Sequence, residues 1–150
     1  MLVVLVAWLA IGAAGILALR RLAFVARVLF PAGGVCGLAL AAFALVAVFD
    51  GAQVAVLPFG LPGLPFHLRL DALSAFFLFV IGAVSAGVSV FAAGYFRQGE
   101  GTPPGLLCLE YHLFLASMAM VVLADDAYAF MVMWETMALS SYFLVTANHR

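Results

Sequence analysis

The stretch 127–147, AYAFMVMWETMALSSYFLVTA, is an apolar run of 21 residues broken near its middle by one carboxylate, Glu135. As an α-helix rising ~1.5 Å per residue it spans ~30 Å, the hydrocarbon thickness of a bilayer. Glu135 falls two residues from the midpoint of the run, which places it roughly 3 Å from the membrane centre. An ionised, unpaired carboxylate at that depth costs about 2.5–3.5 kcal/mol on insertion scales. Such a group is held protonated, paired, or turned toward water inside a protein cavity. Tyr128 and Tyr142 lie seven residues to either side, so all three side chains project from nearly the same helix face. Two readings stay open at this point. Glu135 is a proton-exchanging group on an ion pathway, or it is a protonated carboxyl that hydrogen-bonds to a neighbouring helix as packing glue.

The rest of the chain agrees with a membrane setting. Of its 150 residues 68% are hydrophobic and only 9% charged, against about 25% charged in soluble domains. Mean hydropathy is +1.26. A net charge of −1 supplies no basic field for nucleic acid. Cys36 and Cys108 fall in different segments without CxxC spacing, and His67, His112 and His149 form no zinc or haem arrangement. No phosphate loop, GxSxG elbow or dinucleotide fingerprint is present. The chain is therefore expected to hold no cofactor, no metal and no catalytic redox site. All six basic residues are arginine, so no lysine amine is available for tuning by burial.

Hydropathy divides the chain into five expected spans, at 2–19, 28–49, 72–96, 106–124 and 127–147. Arg20, Arg21 and Arg27 fill the first connector, and Arg97 and Arg150 fall on the same side. The positive-inside rule then puts the N-terminus outside and the C-terminus in the cytoplasm of a bacterial or archaeal cell membrane. Glu110 and His112 sit one or two turns inside the fourth span, as further candidates for a proton path. Between spans two and three, Phe66-His67-Leu68-Arg69-Leu70-Asp71 alternates apolar and polar, and Gln53–Leu57 is β-prone. Pro58, Gly60, Pro62, Gly63 and Pro65 punctuate the join, which predicts a short β-hairpin. Asp71 is placed to cap the third span. Along that span Gly82, Ala86, Ser89 and Ala93 recur at steps of three and four, a face that admits a second helix closely. Gly12, Gly15 and Ala18 form a weaker version in span one.

Four signatures, FHLRLDALSAFF at 66–77, AAGYFR at 92–97, LADDAYAF at 123–130 and WETMALSSYFLV at 134–145, resemble the proton-translocating antiporter-like membrane subunits. That family includes subunits of respiratory complex I, Mrp-type sodium/proton antiporters and membrane subunits of energy-converting hydrogenases. The resemblance is closest to hydrogenase-4 component B and the formate hydrogenlyase membrane subunit. It implies an all-α integral membrane protein of about five helices with a hairpin between helices two and three, the N-terminal part of a roughly fourteen-helix fold built on inverted repeats. It also implies that Glu135 is the fifth-helix glutamate of the proton channel, coupled to a lysine on a later helix that lies outside these 150 residues. The partners implied are the lipid bilayer and other membrane subunits of a hydrogenase or complex I-like assembly, with H⁺ or Na⁺ as the transported ion. The competing expectation is a structural or assembly module that transports nothing of its own.

Overall fold

In the computed structural model, which describes residues 1–95 and 102–147, the chain is mostly helical. Helix α1 is Leu2–Leu17. A short α2, Leu22–Phe24, runs through a π-helical turn, Val25–Leu29, into α3, Phe30–Ala47. The hairpin strands β1, Gln53–Leu61, and β2, Leu64–Leu70, follow. Then come α4, Ala72–Tyr95, α5, Pro104–Leu123, and α6, Ala127–Thr146. Four helical segments, Leu22–Ala47, α4, α5 and α6, are long and apolar enough to cross a membrane. Helix α1 is shorter than its expected span. It closes at Leu17, with the Ala18 N–H bonded to Ala14 and Gly15, and 16 residues reach only ~24 Å. The AAGYFR signature, Arg97 and Arg150 extend into or fall in stretches outside the described residues.

Arg27, expected in a connector, is an exposed residue inside the π-turn. The cause lies four residues on. Pro31 has no N–H to return to the Arg27 carbonyl. The turn before it widens, and Phe30 bonds five residues back to Val25.

The hairpin pairs Gln53 with Leu70 through Leu57 with Phe66, bulges between Leu57 and Gly60, and closes with Leu61 opposite Leu64. Its tip is Pro62-Gly63, where Gly63 has φ 83°, the positive value that the third position of a type II turn requires. On β2, Phe66 and Leu68 are buried while His67 and Arg69 face outward, the period-two alternation visible in the sequence.

Two apolar clusters hold the helices together. On the hairpin side Trp8, Leu40, Ala44, Leu78, Leu115 and Ala119 interlock, all but Leu115 fully buried. At the other end Val25, Leu29, Phe30, Ala92 and Cys108 pack together. Between α3 and α4 the contact is backbone on backbone. A methyl group on Gly82 would lie 2.7 Å from the Ala41 nitrogen, and one on Gly37 would lie 2.8 Å from the Gly82 carbonyl oxygen. Ser89 and Ala86 face Gly34 along the same seam, and Ala93 is half-buried against the lower cluster. Where lipid tails compete equally for apolar side chains, such close approach by small residues is what favours one helix pairing over another.

Gly37→Leu is therefore expected to force α3 from α4 and to destabilise the chain by about 1–3 kcal/mol, the usual cost of overpacking. Leu38→Ala, on the exposed face of the same helix, serves as control. Thermal unfolding of the two variants in detergent checks this.

Candidate functional site

Glu135 is the ninth residue of α6, near the helix midpoint. Within this chain α6 is covered much less than its neighbours. Only 11% of its most apolar stretch is buried, against 44% for each of the other three candidate spans. Its inner side is lined by Ala129 and Ser140, both buried. Its open side carries Phe130, Met131, Trp134, Glu135, Leu139, Tyr142 and Phe143, a stripe at steps of three and four. Phe130 and Trp134 stack there with ring centroids 5.5 Å apart. Among the described residues no side chain donates a hydrogen bond to the Glu135 carboxylate. Three hydroxyls on this helix turn back onto its own backbone, Thr136 to the Val132 carbonyl, Ser140 to Thr136 and Met137, and Thr146 to Tyr142. Such back-bonding is how hydroxyls are satisfied inside a helix.

The expected stripe of Tyr128, Glu135 and Tyr142 holds for two of the three. Tyr142 shares the open side with Glu135, whereas Tyr128 is half-buried with its ring edge-on to Phe66 at 5.4 Å. A straight α-helix drifts ~20° per seven residues, and β2 captures the first turn.

Glu110, Tyr111 and His112 fan from one level of α5 toward different neighbours. The Tyr111 hydroxyl donates to the Ser85 carbonyl at 3.1 Å and lies 3.2 Å from the Ser89 hydroxyl, tying α5 to α4. His112 is fully buried. Its Nδ1 is 2.8 Å from the Cys108 carbonyl oxygen, which can only accept, so Nδ1 carries the proton. Its Nε2 has no hydrogen-bond partner and is pressed against Gly33 of α3, where any side chain would overlap the ring. The Gly33 carbonyl accepts from the Trp8 indole at 3.1 Å. Glu110 is half-buried, with one carboxylate oxygen shielded and unbonded. His112 thus turns into the α1–α3–α5 core while Glu135 faces away from it, and the structure does not unite the two.

The sequence reading missed a polar cluster at the start of α6. Asp126 caps that helix, accepting from the Ala129 N–H at 2.7 Å. Its other carboxylate oxygen accepts from the His67 N–H at 2.8 Å and lies 3.2 Å from His67 Nδ1. Arg69 grips Asp125 with both arms, Nε at 2.7 Å and Nη2 at 3.1 Å. The Asp125 N–H donates to the His67 carbonyl, and Leu68 bridges Ala124. Two of the signatures, FHLRLD and LADD, are thus the two halves of one contact. The signal was present in His67 and Arg69 at alternate positions and in the paired aspartates, but nothing in either stretch names the other as partner.

These N–H donors hold Asp126 below the usual carboxylate range, the Ala129 N–H being the largest cause and His67 the next, and Asp71 is lowered likewise by Ser74. A carboxyl lowered on folding stabilises the fold above its ordinary pKa of about 3.9 and loses that contribution as pH falls through the folded value. Acidification from pH 7 to about 5 should therefore leave these two carboxylates ionised, since both are held below the ordinary carboxylate range. In Asp126→Asn, which caps equally well, the strongly acidic loss should be smaller. Asp126→Ala should be less stable at every pH. Thermal unfolding as a function of pH distinguishes the three proteins.

Residues 57–103 match the family model described as NADH-ubiquinone oxidoreductase (complex I), chain 5 N-terminus. The chain is 38% identical over 81 residues to hydrogenase-4 component B of Escherichia coli, covering 54% of this chain and 12% of that protein. It is 32% identical over 125 residues to NADH-quinone oxidoreductase subunit L of Mycobacterium tuberculosis, covering 73% and 19%. To subunit L of Escherichia coli it is 36% identical over 80 residues, covering 53% and 13%. The chain thus spans less than a fifth of the length of these curated relatives.

Proposed function

Because the chain belongs to the antiporter-like membrane subunits of complex I and hydrogenase type, an integral membrane family, we propose that it forms part of a proton-translocating subunit in which Glu135 exchanges the proton. The observation that carries this reading is the position of Glu135. A carboxyl at mid-span, on a helix face its own chain leaves open, is poorly served by lipid. It calls for a protein neighbour or a water-filled path. The mostly helical fold with its two-strand hairpin accords with the opening part of the roughly fourteen-helix, inverted-repeat architecture implied by the resemblance. The chain itself does no redox chemistry, which belongs to partner subunits of a hydrogenase or complex I-like assembly.

Translocation needs a second group to receive the proton and two states that differ in affinity. Moving one charge through 100 mV involves about 2.3 kcal/mol, so the receiving group must be coupled to Glu135 by at least that much. The family resemblance supplies a lysine on a later helix for this role. His112 does not fit it, being sealed in the core. Glu110, with one shielded oxygen, serves at most to load protons from its own end of α5. In the assembled complex reconstituted in vesicles, Glu135→Gln should abolish pH-gradient formation and leave assembly intact. The alternative, Glu135 as protonated packing glue, requires Glu135→Gln to pump normally, since an amide can still hydrogen-bond to a neighbouring helix.

The proposed orientation puts the hairpin outside and Arg20 with Arg21 in the cytoplasm, following the arginine asymmetry. The one arginine on the hairpin side, Arg69, is neutralised by Asp125, which removes its weight from that comparison. A cysteine at Ala55 should react with an impermeant maleimide in intact cells, and one at Ala23 only after the cells are opened. The reverse pattern would refute the orientation.

A further inference from the structure

Resting on the reading of Glu135 as the proton-exchanging group, we propose that His67 and Arg69 of the hairpin are positioning residues that hold helix α6, and with it Glu135, in its working register. Among the described residues α6 packs along α5 and touches β2 at its start. It is the least covered of the four candidate spans, and only two of its residues are buried. Its far end is tied by the Thr102 hydroxyl to the Ala147 carbonyl. Its near end is fixed by β2 through contacts of three kinds. The Asp125 N–H bonds to the His67 carbonyl. The Asp126 carboxylate accepts from His67 while capping α6. Arg69 holds Asp125 bidentately, a geometry that fixes direction as well as distance. The charged groups around the contact are Asp125 and Asp126 from the α5–α6 turn, Arg69 on β2 itself, and Asp71 at the head of α4.

The hairpin end matters for Glu135 because Asp126 lies nine residues before it, about 13 Å along one rigid helix. A shift or tilt of the first turn is carried toward mid-span, since the helix between them is one continuous hydrogen-bonded rod. The hairpin is in turn seated by Phe66 and Leu68, both buried, with Phe66 against Tyr128 of α6. Strand and helix therefore move as one body, and the two polar side chains on the outward face of β2 set its register against the α5–α6 turn.

The test uses charge reversal in the complete membrane assembly. Arg69→Glu and Asp125→Arg are made singly and together, with pH-gradient formation in vesicles as one readout. The second readout is the distance between spin labels at Val90 of α4 and Leu139 of α6, both exposed. Each single reversal should slow gradient formation by about tenfold or more, because misplacement of the order of 1 Å costs up to about a hundredfold. The label distance should shift or broaden in step. The double reversal restores the pair with opposite polarity and should recover the rate to within about twofold, as coupled neighbours do. Single variants that pump like the parent, or a double variant as impaired as the singles, would overturn the proposal. If a reversal blocks assembly, Arg69→Gln decides, and an unchanged label distance there counts against positioning. Glu135→Gln is run beside them. Full pumping by that variant would sink the proton reading, while the label distances would still judge the hairpin's hold on α6.

Discussion

Bilayer hydrocarbon offers no water to a backbone N–H or carbonyl, and the rest of this structure follows from that constraint. Each long apolar segment must satisfy its own amides, so each is helical. The hydroxyls within them turn back onto carbonyls three or four residues earlier, as Ser117, Thr136 and Ser140 do. The one place where a helix loses a donor, Pro31, is met by a π-turn just before it. The two strands occur in the connector between α3 and α4, not within any of the candidate spans. The same constraint sets how helices recognise one another. With no hydrophobic gain from leaving lipid, specificity passes to close backbone approach at Gly37 and Gly82 and to the few polar links, Trp8 to Gly33 and Tyr111 to Ser85.

Set in that economy, Glu135 and His112 are opposites. His112 is enclosed, its tautomer fixed by the Cys108 carbonyl and its free nitrogen stopped by the bare backbone of Gly33. A ring held that tightly ties helices together, and it has no route to an aqueous phase through the described residues. Glu135 has no such restraint. It stands on the side of α6 that α1 to α5 leave open, beside a stacked Phe130–Trp134 pair. Burial in this chain's own core therefore separates His112, which braces the fold, from Glu135, which faces outward from it.

Much of this was legible in the sequence, because length and periodicity record what a bilayer and a strand demand. The apolar runs from 28, 72, 106 and 127 announced α3 to α6, and the alternation at 66–71 announced β2. The small residues Gly82 and Ser89 announced a face that admits α3. What stayed hidden was long-range. Hydropathy counts apolar residues without saying where a helix closes, so α1 reads as a full span although it ends at Leu17. His112 and Glu110 look alike as polar residues in one span, and only the neighbours of α5 decide that one turns inward and is sealed. His67 and Arg69 are separated from Asp126 and Asp125 by 59 and 56 positions, a distance no local pattern crosses.

That last contact also changes how the hairpin is understood. A two-stranded ribbon is marginal by itself in water, and β1 here is exposed along almost its whole length. Its stability must come from β2, whose buried Phe66 and Leu68 sit on the helices while its polar residues engage the α5–α6 turn. The same atoms therefore serve two elements. Asp126 is at once the cap that starts α6 and the acceptor that anchors the strand, so neither can be disturbed without the other. Through this sharing the strand and the start of α6, the helix that carries Glu135, are fixed against each other at the hairpin end.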